Sequence, residues 1–130
     1  MLNQVVLVGR LTDNPEVITK ENGKKVTTVI LAVQRTTKNS NGIYEADFIR
    51  CILWDAIATN TCEYCHKGDI VGIKGHIQTS SYEKDNQKHY NTDVIAEKVT
   101  FLSTKKDDWT QKRINTKKQK NKYNKKNKHL

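Results

Sequence analysis

The sequence contains none of the short motifs that mark the common enzyme classes. Its 130 residues include no G-x-S-x-G nucleophile elbow, no Walker A phosphate loop, no G-x-G-x-x-G dinucleotide motif and no H-E-x-x-H zinc motif. Glu45, Asp47 and Asp55 are close in sequence, as in a metal-dependent nuclease. However, alternation along a strand directs Asp47 to the side of Ile49, and Asp55 is better placed as a helix cap. We therefore expect no enzymatic activity, no cofactor and no metal site.

The sequence also has no apolar stretch long enough for a signal peptide or a membrane span, and Met1 leads directly into a strand-like segment. We expect a cytoplasmic protein with no membrane contact. Cys51, Cys62 and Cys65 are an odd number of cysteines, which we interpret as packed thiols without a disulfide. The C-x-x-C-H match at residues 62–66 is the attachment motif of c-type haem, which belongs to exported proteins, and no export signal is present here; no second ligand pair for zinc accompanies the match either. We therefore interpret it as a chance match on a helix.

Net charge is absent from most of the chain. Residues 1–103 contain 12 Lys/Arg and 12 Asp/Glu, whereas residues 104–130 contain 11 and two, so the last segment carries the whole net charge of +9. Lys, Asn, Gln and Thr dominate that segment, which predicts a disordered tail behind a single folded domain, residues 1–103. Such a tail either solubilises the protein or binds phosphates through counterion release. The expected phosphate contacts are Lys117, Lys118, Lys120, Lys122, Lys125 and Lys126.

Short segments rich in Val, Ile and Thr recur in the first 103 residues and are separated by turn signals. They predict strands near residues 4–11, 26–35, 46–54, 69–77 and 90–102. Residues 55–67 have helical spacing, with Asp55 as a possible N-cap and Gly68 as a stop. An all-β chain of five strands with one helix between the third and fourth is the layout of an OB-fold, a Greek-key barrel that binds oligonucleotides.

The third predicted strand has two different faces. Odd positions 49, 51 and 53 are apolar and suit the barrel interior, whereas Phe48, Arg50 and Trp54 share the other face. One interpretation is a platform on which bases stack while the arginine meets a phosphate; the alternative is that a loop, the helix or another subunit covers the rings. Tyr82, in the hairpin between the fourth and fifth strands, is a second candidate, although such a tyrosine is more often a plain surface or interface residue.

A series of short segments occurs in one order along residues 1–103. They are MLNQVVLVGRLT (1–12), NPE (14–16), LAVQR (31–35), ADFI (46–49), LW (53–54), YCHKG (64–68), VGIKG (71–75) and IQT (77–79), followed by Tyr82-Glu83. Together they resemble bacterial single-stranded DNA-binding proteins of the replication and recombination type. The resemblance implies a non-catalytic OB-fold, usually a homotetramer, around which single-stranded DNA wraps without sequence preference in replication, recombination or repair.

The resemblance also assigns roles to individual residues. It implies base stacking on Phe48, Trp54 and Tyr82, and basic positions near the DNA at Arg10, Arg35 and Arg50. Lys74 is a further candidate DNA-binding residue. Thr37 stands where the family usually has a further stacking aromatic, and Ser80 and Ser81 stand where a basic residue is usual. The sequence ends in NKHL and not in an acidic tip, so recruitment of partner proteins through such a tip is not expected. The alternative function is an OB-fold adaptor of the primosome or recombination machinery that acts mainly through protein contacts.

Overall fold

The computed structural model describes residues 1–103; the tail, residues 104–130 with its six candidate lysines, lies outside the described residues. The described part contains six strands and one helix. In chain order they are β1 (Val5–Leu11), β2 (Ile18–Thr19), β3 (Lys25–Lys38), β4 (Tyr44–Trp54), α1 (Asp55–Tyr64), β5 (Ile70–Lys84) and β6 (Gln87–Ser103).

The strands form one sheet in the order β1-β5-β6-β4-β3-β2, and β1 pairs with β3 as well as with β5. This second pairing closes the five long strands into a barrel. The β4–β6 pair is parallel and the others are antiparallel. Because β2 has only two residues, α1 falls between the third and fourth long strands, which confirms the predicted OB-fold.

The barrel interior contains the inward-facing apolar residues of every long strand. Leu31, Cys51 and Leu53 have no exposed surface, and Leu11 and Ile73 are almost as deeply buried. Burying one such aliphatic side chain stabilises the fold by about 1.5 to 3 kcal/mol. α1 closes one end of the barrel through Ala58 and Thr61, the two buried residues of the helix. The outward-facing side chains of β4 do not belong to this core and are available for another function.

The boundaries of α1 differ from the prediction in two ways. The helix ends at Tyr64, three residues before the expected end at 67, because Cys65 is already extended. Asp55 as a side-chain cap was wrong: Trp54 is the N-cap residue and no side chain caps the helix. Asp55 instead has a φ of 51° and accepts a hydrogen bond from the backbone N–H of Lys25 at 3.1 Å. The first helical turn is thus tied to the start of β3.

β5 and β6 extend well beyond the barrel as a hairpin. β5 continues to Lys84, seven residues past its expected end, and the two strands pair without interruption from Gly75↔Ala96 to Lys84↔Gln87. Asp85 and Asn86 form the turn with φ of 54° and 62°, the left-handed conformation that a two-residue hairpin loop requires and that Asp and Asn tolerate. The hydrophobic pattern did not predict this extension, because the hairpin has no buried face and its residues are mostly polar.

Candidate nucleic-acid interface

Phe48 is an exposed aromatic residue in the middle of β4, with 69% of its surface accessible. Phe48 pairs with Ala32 of β3, and Ala32 pairs with Arg10 of β1, so the three residues form one row across the strands. Alanine leaves the ring uncovered by its cross-strand neighbour. Arg10 lies two strands from Phe48, roughly 10 Å away, and donates a hydrogen bond to the carbonyl O of Gly68 at 3.0 Å.

Trp54 closes the same face of β4 at its carboxyl end. Its side chain is half-buried, and the residue pairs with Val26 of β3. The Lys20 ammonium lies 5.3 Å from the ring centroid, within the range of a cation–π contact. A positive charge therefore accompanies the ring on the outside of the barrel.

Arg50 lies between these two aromatic residues on the outer face. Its side chain is half exposed, and its Nε lies 3.4 Å from Oδ1 of Asp93, a buried carboxylate of β6. This ion pair joins the outer face of β4 to that of β6. Arg50 and Phe48 are two residues apart on the same face of β4, and the Arg50 side chain still presents part of its surface to solvent.

Tyr82 lies on the β5–β6 hairpin and pairs with His89. The two rings stack with centroids 5.2 Å apart and planes inclined by 21°, and Tyr82 is 48% exposed. His89 and Asp93 are four residues apart on a regular stretch of β6, so their side chains share a face. Because Asp93 meets Arg50, the Tyr82–His89 stack belongs to the same outer face as Phe48.

Arg35 has a different environment. By alternation, its side chain lies on the opposite face of β3 from the outward-facing residues. There the guanidinium forms ion pairs with two carboxylates of β4, Asp47 at 2.8 Å and Glu45 at 3.1 Å. The hydrogen bond from Arg35 holds the pKa of Asp47 below its ordinary value, and the same bond raises the pKa of Arg35. Asp47 lies on the face opposite Phe48, as alternation predicts. The structure therefore does not bring Arg35 together with Phe48 and Trp54.

Lys74 is also set apart from the aromatic residues. It is exposed on β5 and pairs with Val6 of β1 and Lys98 of β6. Eight residues separate it from Tyr82, roughly 26 Å along an extended strand. Of the seven candidate DNA-binding residues, the structure thus groups Phe48, Arg50, Trp54 and Tyr82 on one face, called the aromatic face below, with Arg10 at its margin.

Sequence reasoning missed two residues of this surface, Lys20 and His89. Lys20 lies in a loop, where no periodicity indicates which ring it approaches. His89 had a usable signal, because a two-residue turn at Asp85 and Asn86 pairs residue 82 with residue 89.

The cysteines have no exposed reactive group beside this surface. Cys51 and Cys65 are buried, and Cys62 is partly buried. Burial raises the pKa of Cys51 to about 11, and burial also raises the pKa of Cys62. No three His, Cys, Asp or Glu residues within positions 1–103 are grouped so that they could hold a metal ion. In the same part of the chain, no helix is both long enough and apolar enough to cross a membrane.

Comparison with known proteins places this geometry in a family. The model of the single-strand binding protein family matches residues 2–102. The chain is 47% identical over 106 residues to single-stranded DNA-binding protein B of Bacillus subtilis (strain 168), covering 81% of this chain and 94% of that relative. Single-stranded DNA-binding protein A of the same organism is 47% identical over 106 residues, and single-stranded DNA-binding protein 3 of Listeria innocua is 45% identical over 106 residues.

The match to each of these two longer relatives also covers 81% of this chain, but it spans 62% and 66% of their own lengths. The similarity thus extends over the whole described barrel. The chain belongs to the single-strand binding protein family.

Proposed function

We propose that this chain binds single-stranded DNA without sequence preference and without catalysis, in replication, recombination or repair. The binding surface is the outer face of β4 with the adjoining β5–β6 hairpin. The observation that carries the proposal is the exposure of Phe48 in the middle of a barrel strand, with Arg50 two residues away. A base has a π-face whatever its identity, so stacking on Phe48, Trp54 and Tyr82 is worth about 1 to 3 kcal/mol per base without reading sequence.

The names of the relatives support the same proposal, since they are those of single-stranded DNA-binding proteins. They do not favour the adaptor function. Arg10 and Arg50 are the cations best placed to meet phosphates near the rings. Arg35 and Lys74 would contribute from outside the aromatic face.

The test is a titration of a fluorescently labelled oligo(dT) with the intact chain and with the Phe48→Ala/Trp54→Ala double variant. Loss of two stacked bases should weaken binding by about 2 kcal/mol or more, which is roughly 30-fold. Tyr64→Ala is the matched control, because Tyr64 is a 59% exposed tyrosine at the end of α1, away from the aromatic face. Equal affinity of the double variant and the intact chain would refute the proposal.

We further propose that the chain self-associates, with a homotetramer as the expected form. Val6 and Val8 expose 68% and 54% of their surfaces on the outer side of β1, and Leu102 exposes 51%. Leu102 lies next to Gly72, which pairs with Val8, so these side chains form one apolar patch. Contiguous apolar patches on a soluble domain commonly mark protein interfaces. The mass in solution, with Val6→Asp as the comparison, measures the assembly directly.

The lysine-rich tail is proposed as a second, weaker phosphate contact. Eleven cations in residues 104–130 attract a nucleic-acid backbone irrespective of sequence. The six lysines between positions 117 and 126 form its densest part. The contribution of this segment should be sensitive to salt, whereas stacking on the barrel should be much less so.

A further inference from the structure

We propose that Tyr44 and Lys38, at the tip of the β3–β4 hairpin, form an additional nucleotide-binding position that extends the row of Phe48 and Trp54. This inference rests on the proposed binding of single-stranded DNA. Tyr44 would stack on a base, and the Lys38 ammonium would meet an adjacent phosphate.

The backbone places Tyr44 on the aromatic face. Tyr44, Phe48 and Trp54 occupy even positions of a single strand, β4, so their side chains share one face. The irregularity in the β3–β4 register lies between Gln34 and Lys38, where β3 has two extra residues and β4 continues regularly. Tyr44 is 47% exposed and lies about 13 Å along the strand from Phe48.

Each end of this row has a lysine beside its ring. The Lys38 Nζ is 5.5 Å from the Tyr44 ring centroid, and the Lys20 Nζ is 5.3 Å from that of Trp54. A ring for a base and a cation for the backbone are the two elements that sequence-independent binding of single strands requires. The end of the row at Tyr44 therefore has the same chemistry as the end at Trp54.

The nearby carboxylates are turned away from Tyr44. Glu45 and Asp47 alternate with Tyr44 along β4, and both form ion pairs with Arg35 on the opposite face. Glu45 also accepts a hydrogen bond from the Asn39 side chain at 3.0 Å. Lys38 takes part in none of the ion pairs within residues 1–103, so its charge is available to a phosphate.

The sequence pattern concealed this position. Residues 46–54 were expected to form the strand, and Tyr44 therefore fell in a loop. Thr37, the residue before Lys38, has no ring to offer. The register Lys38↔Tyr44 places the Tyr44 ring opposite Lys38 near the tip of this hairpin.

The primary test measures the affinity of Tyr44→Ala for labelled oligo(dT) by fluorescence anisotropy. Loss of one stacked base should weaken binding about 5-fold or more. Ile43→Ala is the matched control, because Ile43 is the adjacent residue, 59% exposed, and has no ring; its affinity should stay within about two-fold. Tyr44→Phe should retain the affinity of the intact chain, whereas Tyr44→Leu should not.

A second measurement reports stacking itself. A chain with Tyr44→Trp, Trp54→Phe and Trp109→Phe has its one indole at position 44. Addition of oligo(dT) should quench the emission of that indole. Absence of quenching while the DNA is bound would overturn the inference.

Parallel measurement of Phe48→Ala separates the two proposals. If Phe48→Ala weakens binding and Tyr44→Ala does not, the extension at Tyr44 is refuted and the proposed function stands. If neither variant weakens binding, both are refuted. Equal affinity of Tyr44→Leu and Tyr44→Phe would also overturn the inference, because bulk without a ring would then suffice.

Discussion

Substitution of Gly75 by alanine should destabilise the barrel, whereas the same change at Gly72 should not. Gly75 lies in β5 between Val5 of β1 and Ala96 of β6, with no exposed face. A Cβ at this position would overlap the carbonyl O of Ile95 and lie 2.9 Å from its carbonyl carbon. Both atoms are backbone, so relief requires movement of β6 itself.

The magnitude follows from two opposing effects. Overpacking a well-filled site costs about 1 to 3 kcal/mol, and a backbone obstacle places the cost at the upper end. Alanine also stabilises the fold by about 0.4 to 1 kcal/mol, because it has less conformational freedom than glycine in the unfolded chain. The expected net loss for Gly75→Ala is therefore about 2 kcal/mol, or a decrease in Tm of roughly 8 to 16 °C for a domain of this size.

Gly72→Ala is the matched control. Its Cβ would meet the Leu102 side chain at 3.6 Å, an ordinary van der Waals distance. The substitution should leave the stability unchanged or raise it by up to about 1 kcal/mol. Urea unfolding followed by circular dichroism measures both variants, at one protomer concentration because self-association adds to apparent stability. A midpoint for Gly75→Ala equal to or above that of Gly72→Ala would refute the reasoning.

Three further outcomes test the charge arrangement. Arg50→Ala should weaken oligo(dT) binding about 5-fold or more. Arg35→Ala should change the affinity less than about two-fold, because Asp47 and Glu45 hold that guanidinium. A larger effect of Arg35→Ala than of Arg50→Ala would contradict the assigned faces. The pKa of Cys51 is about 11 in the folded state against an ordinary 9.0, so the thiol loses its proton at lower pH in the unfolded chain than in the folded one. The free energy of unfolding should therefore be constant up to pH 9 and then fall by up to about 2 to 3 kcal/mol by pH 11. Urea titrations of Cys51→Ala should lack this decrease, and an identical decrease would exclude the thiol as its cause. Deletion of residues 104–130 should flatten the plot of log affinity against log salt by about 0.7 for each phosphate released, and an unaltered slope would leave the tail a solubilising segment.

Much of the barrel could be predicted because burial imposes a pattern on its strands. Side-chain burial alternates along β1 and along much of β3 and β4, and the predicted segments fall within or beside the observed strands. The β5–β6 hairpin could not be delimited in this way, since residues beyond Ile77 are mostly exposed and have no buried face to mark them. The sequence predicted the start of α1 but not its cap. The Asp55 side chain accepts a hydrogen bond from the backbone N–H of Lys25, 30 residues earlier in the chain, and does not cap the helix.

The sequence by itself determined that Phe48, Arg50 and Trp54 share one face, because alternation along a strand is a local property of the backbone. It also determined the segregation of net charge into residues 104–130. Only the tertiary structure decided which distant groups join that face. The parallel β4–β6 register sets Arg50 against Asp93 and brings the Tyr82–His89 stack to the same side.

Arg35 shows the same division between local and tertiary information. As a residue type it is a plausible phosphate contact, but pairing across β3 and β4 gives it two carboxylate partners. Such pairings depend on strand register between segments far apart in the chain, and hydrophobic periodicity specifies which face is buried without specifying which polar groups meet on the other. The chemistry of the aromatic residues was thus present in the sequence, whereas their neighbours were decided by the closure of the barrel.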